Sequence, residues 1–143
     1  DLAIASDKAQ FGQVGPRVGS VDPGWGTAYL ARIVGEKKAR EIWYLCRRYT
    51  ADQALAMGLV NAVVPHDRLD DEVTIWCNEI LAKSPTAIAL AKRSFNLDSE
   101  GIRAIGAMGF EALALFYGTE ESKEGVRAFK EKRPPRFRQQ KKT

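Results

Sequence analysis

The sequence predicts an α/β fold in which a few short strands are followed by a long helical region. Residues 1–6 contain an apolar run typical of a buried strand, and residues 59–64 form a second such run, which Pro65 ends. From residue 67 onward, apolar side chains recur at helical spacing. Because so few strands cannot bury both faces of a sheet, we expect them to complete a larger sheet supplied elsewhere.

Capping residues, glycines and prolines predict the bounds of the remaining loop and helices. Residues 12–26 contain five glycines and two prolines, too many for a regular element, which predicts an active-site loop. A helix is expected from Thr27 to Val34, ended by Gly35, and two more over residues 36–47 and 50–57. Four further helices are predicted over residues 67–83, 85–97, 99–117 and 119–132, with Ser84 and Thr119 as N-terminal caps.

Composition indicates one globular domain. Of the 143 residues, 45% are apolar and 28% are charged, and no apolar run approaches the ~18 residues of a membrane span. Cys46 and Cys77 form no CxxC pair, so neither a metal site nor a disulfide framework is indicated. We expect both to be buried thiols of a cytoplasmic protein.

The positive charge is concentrated at the C-terminal end. Residues 123–143 hold nine of the 22 basic residues but two of the 18 acidic ones. Such side chains bind phosphates, so this segment is a candidate to contact a nucleotide, although a solubilising tail is the simpler alternative. Phe129 and Phe137 alone do not make a base-stacking surface, so nucleic acid is not the expected partner.

Three side chains are candidates for chemistry on their position alone. Asp22 lies in the glycine-rich loop, where a carboxylate can serve as general base, but Asp-Pro-Gly is also an ordinary turn sequence. His66 has no GxSxG partner and is expected to be a solvated loop histidine. Tyr117, at a helix end, could donate a hydrogen bond to an oxyanion or simply pack there.

The sequence closely resembles two groups of crotonase-superfamily enzymes. They are the dihydroxynaphthoyl-CoA synthases of menaquinone synthesis and the 2-ketocyclohexanecarboxyl-CoA hydrolases of alicyclic acid degradation. The resemblance runs through FGQVGPRVGSVDPGWGTAYLARIVGEKKAREIWYLCRRYTADQALAMGLVNAVVP and continues through SPTAIALAKRSFN and LALFYGTEESKEGVRAFKEKRPPRF. It therefore covers essentially the whole chain.

The resemblance implies a crotonase-like spiral of ββα turns, of which this chain would supply the C-terminal half. Residues 1–65 would form the last part of the spiral core, with an active-site loop at residues 11–27, and residues 66–143 a helical trimerisation region. Trimers that pair into hexamers are implied. Because the chain starts without an initiator Met, after the family's oxyanion-hole segments, we expect it to need the N-terminal half of the same enzyme as its partner.

The position of Gly15 separates reaction types within the superfamily. Ordinary enoyl-CoA hydratases carry a catalytic glutamate there, and glycine cannot transfer a proton. In one class of dihydroxynaphthoyl-CoA synthase a bicarbonate ion replaces that carboxylate. The resemblance implies that Gln13, Val14, Gly15 and Trp43 would hold such an ion, and that acyl-CoA is the substrate, with no tightly bound cofactor.

Further roles follow from the resemblance. Asp22 matches the catalytic aspartate, which makes the turn at this point functional, and Ser20 would orient it. Tyr117 matches a catalytic tyrosine, and Phe129 and Lys132 match residues that contact coenzyme A. Lysine would neutralise nucleotide phosphate there.

The reaction predicted is the making or breaking of a ring carbon–carbon bond through an enolate. Val21, Pro23, Trp25 and Thr27 depart from the naphthoate pattern and are more similar to the ketocyclohexanecarboxyl-CoA hydrolases, which favours ring opening. Dihydroxynaphthoyl-CoA synthase is the alternative. Hydration or isomerisation of an enoyl-CoA, and a non-catalytic partner half-chain, are further alternatives.

Overall fold

The computed structural model describes residues 1–138, in two compact units. The first unit comprises residues 1–11 and 48–103, and the second comprises residues 12–47 and the chain from residue 104 onward. Each unit is therefore assembled from two separate stretches of sequence. The second unit contains the glycine-rich loop together with the last two helices.

Four short strands and eight α-helices are found among residues 1–138. The strands are β1 (Ile4–Ser6), β2 (Gln10–Phe11), β3 (Tyr49–Thr50) and β4 (Ala62–Val64). The helices are α1 (Gly15–Val18), α2 (Trp25–Val34), α3 (Glu36–Leu45), α4 (Ala51–Ala56), α5 (Leu69–Leu81), α6 (Pro85–Glu100), α7 (Arg103–Tyr117) and α8 (Glu120–Lys130). None of these helices combines the length and the apolar character that crossing a bilayer requires.

The strands form two small sheets in the first unit. β1 pairs with β4 in parallel, with Ile4 opposite Ala62, and β2 pairs with β3 antiparallel. Asn61 ties the start of the parallel pair: its side-chain oxygen accepts from the Ala3 N–H at 2.8 Å. The two apolar runs of the sequence are thus confirmed as strands, while β3 was not predicted because two residues show no alternation.

The core of the first unit consists of small side chains. Ala5, Ala51, Ala54 and Val60 are buried together. The helix α4 that carries two of these alanines begins with a capping box, in which Thr50 and Gln53 each accept the other's backbone N–H. Thr50 thus serves as the N-terminal cap, and the helix begins at the residue after it.

The predicted caps of the later helices are confirmed. The Ser84 hydroxyl accepts from the Ala87 N–H at 3.3 Å, and the Thr119 hydroxyl accepts from the Ser122 N–H at 3.4 Å. The predicted break between residues 97 and 99 is wrong, because α6 continues to Glu100. No glycine or proline interrupts the chain before Gly101, where the helix ends.

Two other expectations are corrected. The loop of residues 12–26 contains a short helix, α1, which begins at Gly15 followed by Pro16 and ends at Gly19 in the left-handed conformation. Cys46 is buried as expected, but Cys77 is exposed, on α5. His66 is exposed, as expected of a solvated histidine; it begins a 3-10 turn, and its Nδ1 lies 3.0 Å from the Ser6 hydroxyl.

Backbone contact joins α1 and α8 in the second unit. A Cβ atom added at Gly125, inside α8, would overlap the Val18 carbonyl oxygen and would lie 2.7 Å from the Gly19 Cα. Gly19 has a positive φ of 72° and faces Gly125 in turn. Neither position leaves room for a side chain, so the two segments approach to a distance that only glycine permits.

We expect Gly125→Ala to destabilise the chain, although the same change inside a helix usually stabilises it by up to about 1 kcal/mol. The added methyl would force α8 away from α1, which should lower the free energy of unfolding by about 1–3 kcal/mol. Urea unfolding followed by circular dichroism measures this difference.

Gly101→Ala is the matched control. Gly101 has a φ of −59°, and the atom closest to its added Cβ, the Asp98 carbonyl oxygen, is 4.0 Å away. This variant should unfold at the wild-type urea concentration or slightly above it. A Gly125→Ala midpoint as high as that of the control would contradict the steric argument.

Candidate active site

Asp22 lies in the turn that leads into α2. Its carboxylate Oδ1 accepts a hydrogen bond from the Gly24 N–H at 3.1 Å, and Gly24 is the N-terminal cap of α2. A Cβ at Gly26 would overlap the second carboxylate oxygen, so the turn is closed around the acid. The helix N-terminus favours negative charge at this place. The turn role of Asp22 is thus observed, and it leaves the carboxylate exposed.

A cavity of about 310 Å³ adjoins this turn. Asp22 lines one side of it together with Pro23 and Trp25, and α7 lines the other with apolar residues that include Phe110 and Leu113. A carboxylate beside apolar walls can reach a proton on a small apolar group bound there. This arrangement is the strongest candidate site in the described part of the chain.

Two glycines of α7 set the width of this cavity, and neither was predicted from the sequence as a site residue. A Cβ at Gly109 would lie 2.7 Å from the Gly24 Cα, and a Cβ at Gly106 would lie 2.8 Å from the Trp25 Nε1. The available signal was their spacing: two glycines three residues apart lie on one face of a helix, where each costs about 1 kcal/mol relative to alanine. The close approach of Gly24 and Trp25 to α7 explains why glycine is present at both positions.

Ser20 and Tyr117 are brought together across 97 residues of sequence. Their hydroxyl oxygens are 2.8 Å apart, within hydrogen-bond distance. Tyr117 is the last residue of α7 and is 51% exposed, so it is not a packed helix end. The resemblance implied that Ser20 orients Asp22. In the structure the Ser20 hydroxyl instead bonds Tyr117, while the backbone of Gly24 holds Asp22.

Gly15 and Trp43 are neighbours, as the bicarbonate hypothesis requires. A Cβ at Gly15 would lie 3.5 Å from Trp43 Cζ3, and Trp43 Nε1 is buried with no hydrogen-bond partner within residues 1–138. The same Cβ position, however, is 2.9 Å from the Ser20 carbonyl oxygen.

The fit of bicarbonate at this point is therefore poor. A carbonyl oxygen repels an anion, and the indole N–H is on the side of the ring away from Cζ3. Of the other two residues, Val14 is exposed and precedes α1, and Gln13 is half-buried beside it. The residues at Gly15 do not form an anion site in this arrangement, and no catalytic step is assigned to bicarbonate.

Glu124 on α8 binds three residues of the basic segment, one of which, Arg133, also pairs with Glu131 at 2.6 Å. Arg133 donates to its carboxylate at 2.6 and 3.0 Å, the backbone N–H of Arg136 donates at 2.9 Å, and Arg127 donates at 3.2 Å. The Arg133 side chain, followed by the Arg136 N–H, lowers the pKa of Glu124 to about 2. Glu124 is thus ionised throughout the neutral range.

The two residues implied to contact coenzyme A lie at the C-terminal end of α8. Phe129 is 78% exposed. Lys132 is exposed, and its φ of 53° places it in the left-handed region, which a non-glycine residue rarely adopts. Lys141 and Lys142 of the same basic segment lie outside the described residues.

Comparison with known proteins gives a consistent result. Residues 1–140 match the family model described as enoyl-CoA hydratase/isomerase. An enoyl-CoA hydratase/isomerase from Pseudoalteromonas atlantica T6c is 28% identical, with a TM-score of 0.88 over 96% of this chain and 56% of that one. An enoyl-CoA hydratase from Mycobacterium avium subsp. paratuberculosis K-10 is 28% identical, with a TM-score of 0.89 over 97% of this chain and 57% of that one.

A methylmalonyl-CoA decarboxylase, solved with 2-nitronate-propionyl-CoA, is 30% identical, with a TM-score of 0.80 over 96% of this chain and 56% of that one. The chain thus spans little more than half the length of these structures. Its short strands followed by helices correspond to the same portion of the mixed α/β crotonase-like fold. The chain belongs to the enoyl-CoA hydratase/isomerase family of the crotonase superfamily.

Proposed function

We propose that this chain supplies the acid–base residues of an acyl-CoA enzyme that opens a six-membered ring, with 2-ketocyclohexanecarboxyl-CoA as the substrate. The observation that carries the proposal is the Asp22 carboxylate, fixed in its turn, in the wall of an apolar cavity of about 310 Å³. A puckered alicyclic ring suits apolar walls of that size. The acyl-CoA class follows from the family to which the chain belongs.

The reaction is a hydrolysis of a carbon–carbon bond. Asp22 takes a proton from water as the water oxygen adds to the ring ketone carbon, and Tyr117 donates a hydrogen bond to the alkoxide that forms. Collapse of the alkoxide forms a carboxylic acid and breaks the ring bond, whose electron pair becomes the thioester enolate. Asp22 then returns its proton to the enolate carbon. The product is an open-chain thioester with a free carboxyl group.

Ser20 acts through Tyr117 in this scheme. Its hydroxyl lies 2.8 Å from the Tyr117 hydroxyl, so it can donate to the phenol oxygen and hold the phenol in one orientation while the phenol O–H donates to the alkoxide. An oriented donor stabilises charge in the transition state without reorganising, which is the main advantage of such a site. Hydration is disfavoured because Gly15 has no acid group and no space for one.

A complete site requires protein beyond this chain. Asp22 is exposed here, and large apolar side chains such as Phe110 (76% exposed) and Leu115 (79% exposed) are uncovered. Together with the length of the solved relatives, this supports an N-terminal half, and further copies in an oligomer, as the partners that cover these surfaces. The thioester oxyanion donors would come from that half.

The ring reaction itself is tested by a direct comparison of substrates. The complete enzyme should hydrolyse 2-ketocyclohexanecarboxyl-CoA in preference to cyclising succinylbenzoyl-CoA, because the large Trp25 side chain lines the cavity beside Asp22 and its ring contacts Tyr29 at a centroid distance of 5.6 Å. Added bicarbonate should leave both rates unchanged. Preferential naphthoate formation, stimulated by bicarbonate, would instead identify a dihydroxynaphthoyl-CoA synthase.

Asp22→Asn should lower the turnover of the complete enzyme by roughly 100-fold or more, with little change in acyl-CoA affinity. Asparagine keeps the oxygen that accepts from the Gly24 N–H, so the turn should survive while the base is lost. Asp52→Asn, an exposed change of equal charge on α4, is the control and should behave as wild type. Turnover of Asp22→Asn within a few-fold of wild type would mean that Asp22 only stabilises the turn and is not a catalytic base.

Lys132→Ala should weaken coenzyme A binding by about 10-fold and leave the saturated rate nearly unchanged, because a charged hydrogen bond to phosphate contributes about 1.5 kcal/mol or more. Isothermal titration with coenzyme A measures the affinity. Lys130→Ala removes an equal charge two residues away and should have a much smaller effect. Equal losses in the two variants would indicate a diffuse charge effect and no specific contact.

A further inference from the structure

The turn after α8 adopts a conformation that its sequence does not favour. Lys132 has a φ of 53°, where glycine is the usual residue at the end of a helix. Two hydrogen bonds close the turn: the Lys132 N–H donates to the Phe129 carbonyl at 3.2 Å, and the Arg133 N–H donates to the Ala128 carbonyl at 3.0 Å. A lysine in this conformation persists where its surroundings hold it.

Glu124, two turns earlier in α8, stabilises this turn. Glu124 is 8% exposed, and its two carboxylate oxygens accept hydrogen bonds from the Arg133 guanidinium and the Arg136 backbone N–H. These bonds fasten the chain immediately after Lys132 to the body of the helix. Arg127, on the same helix as Glu124, donates to the same carboxylate.

We propose that Glu124 is a positioning residue for coenzyme A binding: it fixes the turn after α8 so that Lys132 presents its ammonium group to a phosphate. The inference rests on the proposed function for the contact between Lys132 and coenzyme A. Glu124 itself is engaged by Arg133, Arg136 and Arg127, so it acts through the turn and not by touching the ligand.

Charge and position predict opposite results for one substitution. Glu124→Gln removes a negative charge that three arginines contact, so long-range electrostatics alone would strengthen the binding of an anionic nucleotide. Loss of the hydrogen bonds that fix the turn would instead weaken nucleotide binding. The sign of the change in affinity therefore distinguishes a positioning role from a charge effect.

The test uses the complete enzyme and coenzyme A as the probe. Glu124→Gln should raise the dissociation constant at least ~5-fold, and in a Lys132→Ala background it should add almost nothing, as expected when one residue acts through the other. Glu121→Gln, the same charge change at an exposed position of α8, should bind as wild type or slightly more tightly. Glu124→Asp keeps the charge but is too short to reach both partners, and it should also weaken binding.

Amide hydrogen exchange reports the turn itself. Exchange at Lys132 and Arg133 should accelerate at least ~10-fold in Glu124→Gln and stay unchanged in Glu121→Gln. Unchanged exchange in Glu124→Gln, or affinity equal to or above wild type while Lys132→Ala weakens binding, overturns the positioning role. Faster exchange with full affinity in both Glu124→Gln and Lys132→Ala overturns the proposed contact of Lys132 with coenzyme A, and this inference with it.

Discussion

Contact between backbones, with no side chain between them, is the constraint on which the second unit depends. Gly24 meets Gly109 of α7, and Gly19 meets Gly125 of α8, at distances where an added Cβ would lie within 3 Å of backbone atoms. Glycine inside a helix is unfavourable by about 1 kcal/mol, so its presence there is explained by what it permits. The helices α7 and α8 can therefore approach the active-site loop closely enough to determine its path. Close packing then leaves the loop backbone no freedom to shift.

The candidate chemistry depends on that path. The carboxylate of Asp22 uses one oxygen to bind the Gly24 N–H and thereby closes the turn, which also restricts the orientations open to the acid. α7 contributes the opposite wall of the cavity and, at its last residue, the hydroxyl of Tyr117. The contact between Gly24 and α7 therefore positions both the Asp22 carboxylate and the Tyr117 phenol. No hydrogen bond joins these two side chains within residues 1–138. Such preorganisation is what an enolate reaction requires of its scaffold.

Relatives with this fold include proteins named as hydratases and a decarboxylase, so the fold alone does not decide the reaction. Local features support the proposed ring reaction. Gly15 has no acid group, and the Ser20 carbonyl oxygen occupies the space beside it. Trp25 lines the cavity beside Asp22. On α8, the Glu124 carboxylate binds arginines, and Lys132 is not among its partners. The groups that maintain the turn are therefore separate from the one implied to bind phosphate.

The sequence by itself determined the helix caps at Ser84 and Thr119, the two apolar strands and the family, because each of these depends on residues close together in the chain or on a long pattern. It also indicated Asp22, Ser20 and Tyr117 as candidates. The helix inside the glycine-rich loop, the exposure of Cys77 and the role of Gly106 and Gly109 could not be predicted, since each depends on which distant segment lies opposite. The pairing of Ser20 with Tyr117, 97 residues apart, was likewise decided only by the tertiary structure. Hydrogen bonding and steric exclusion act over a few ångströms, so the fold has to bring such residues together before either can operate.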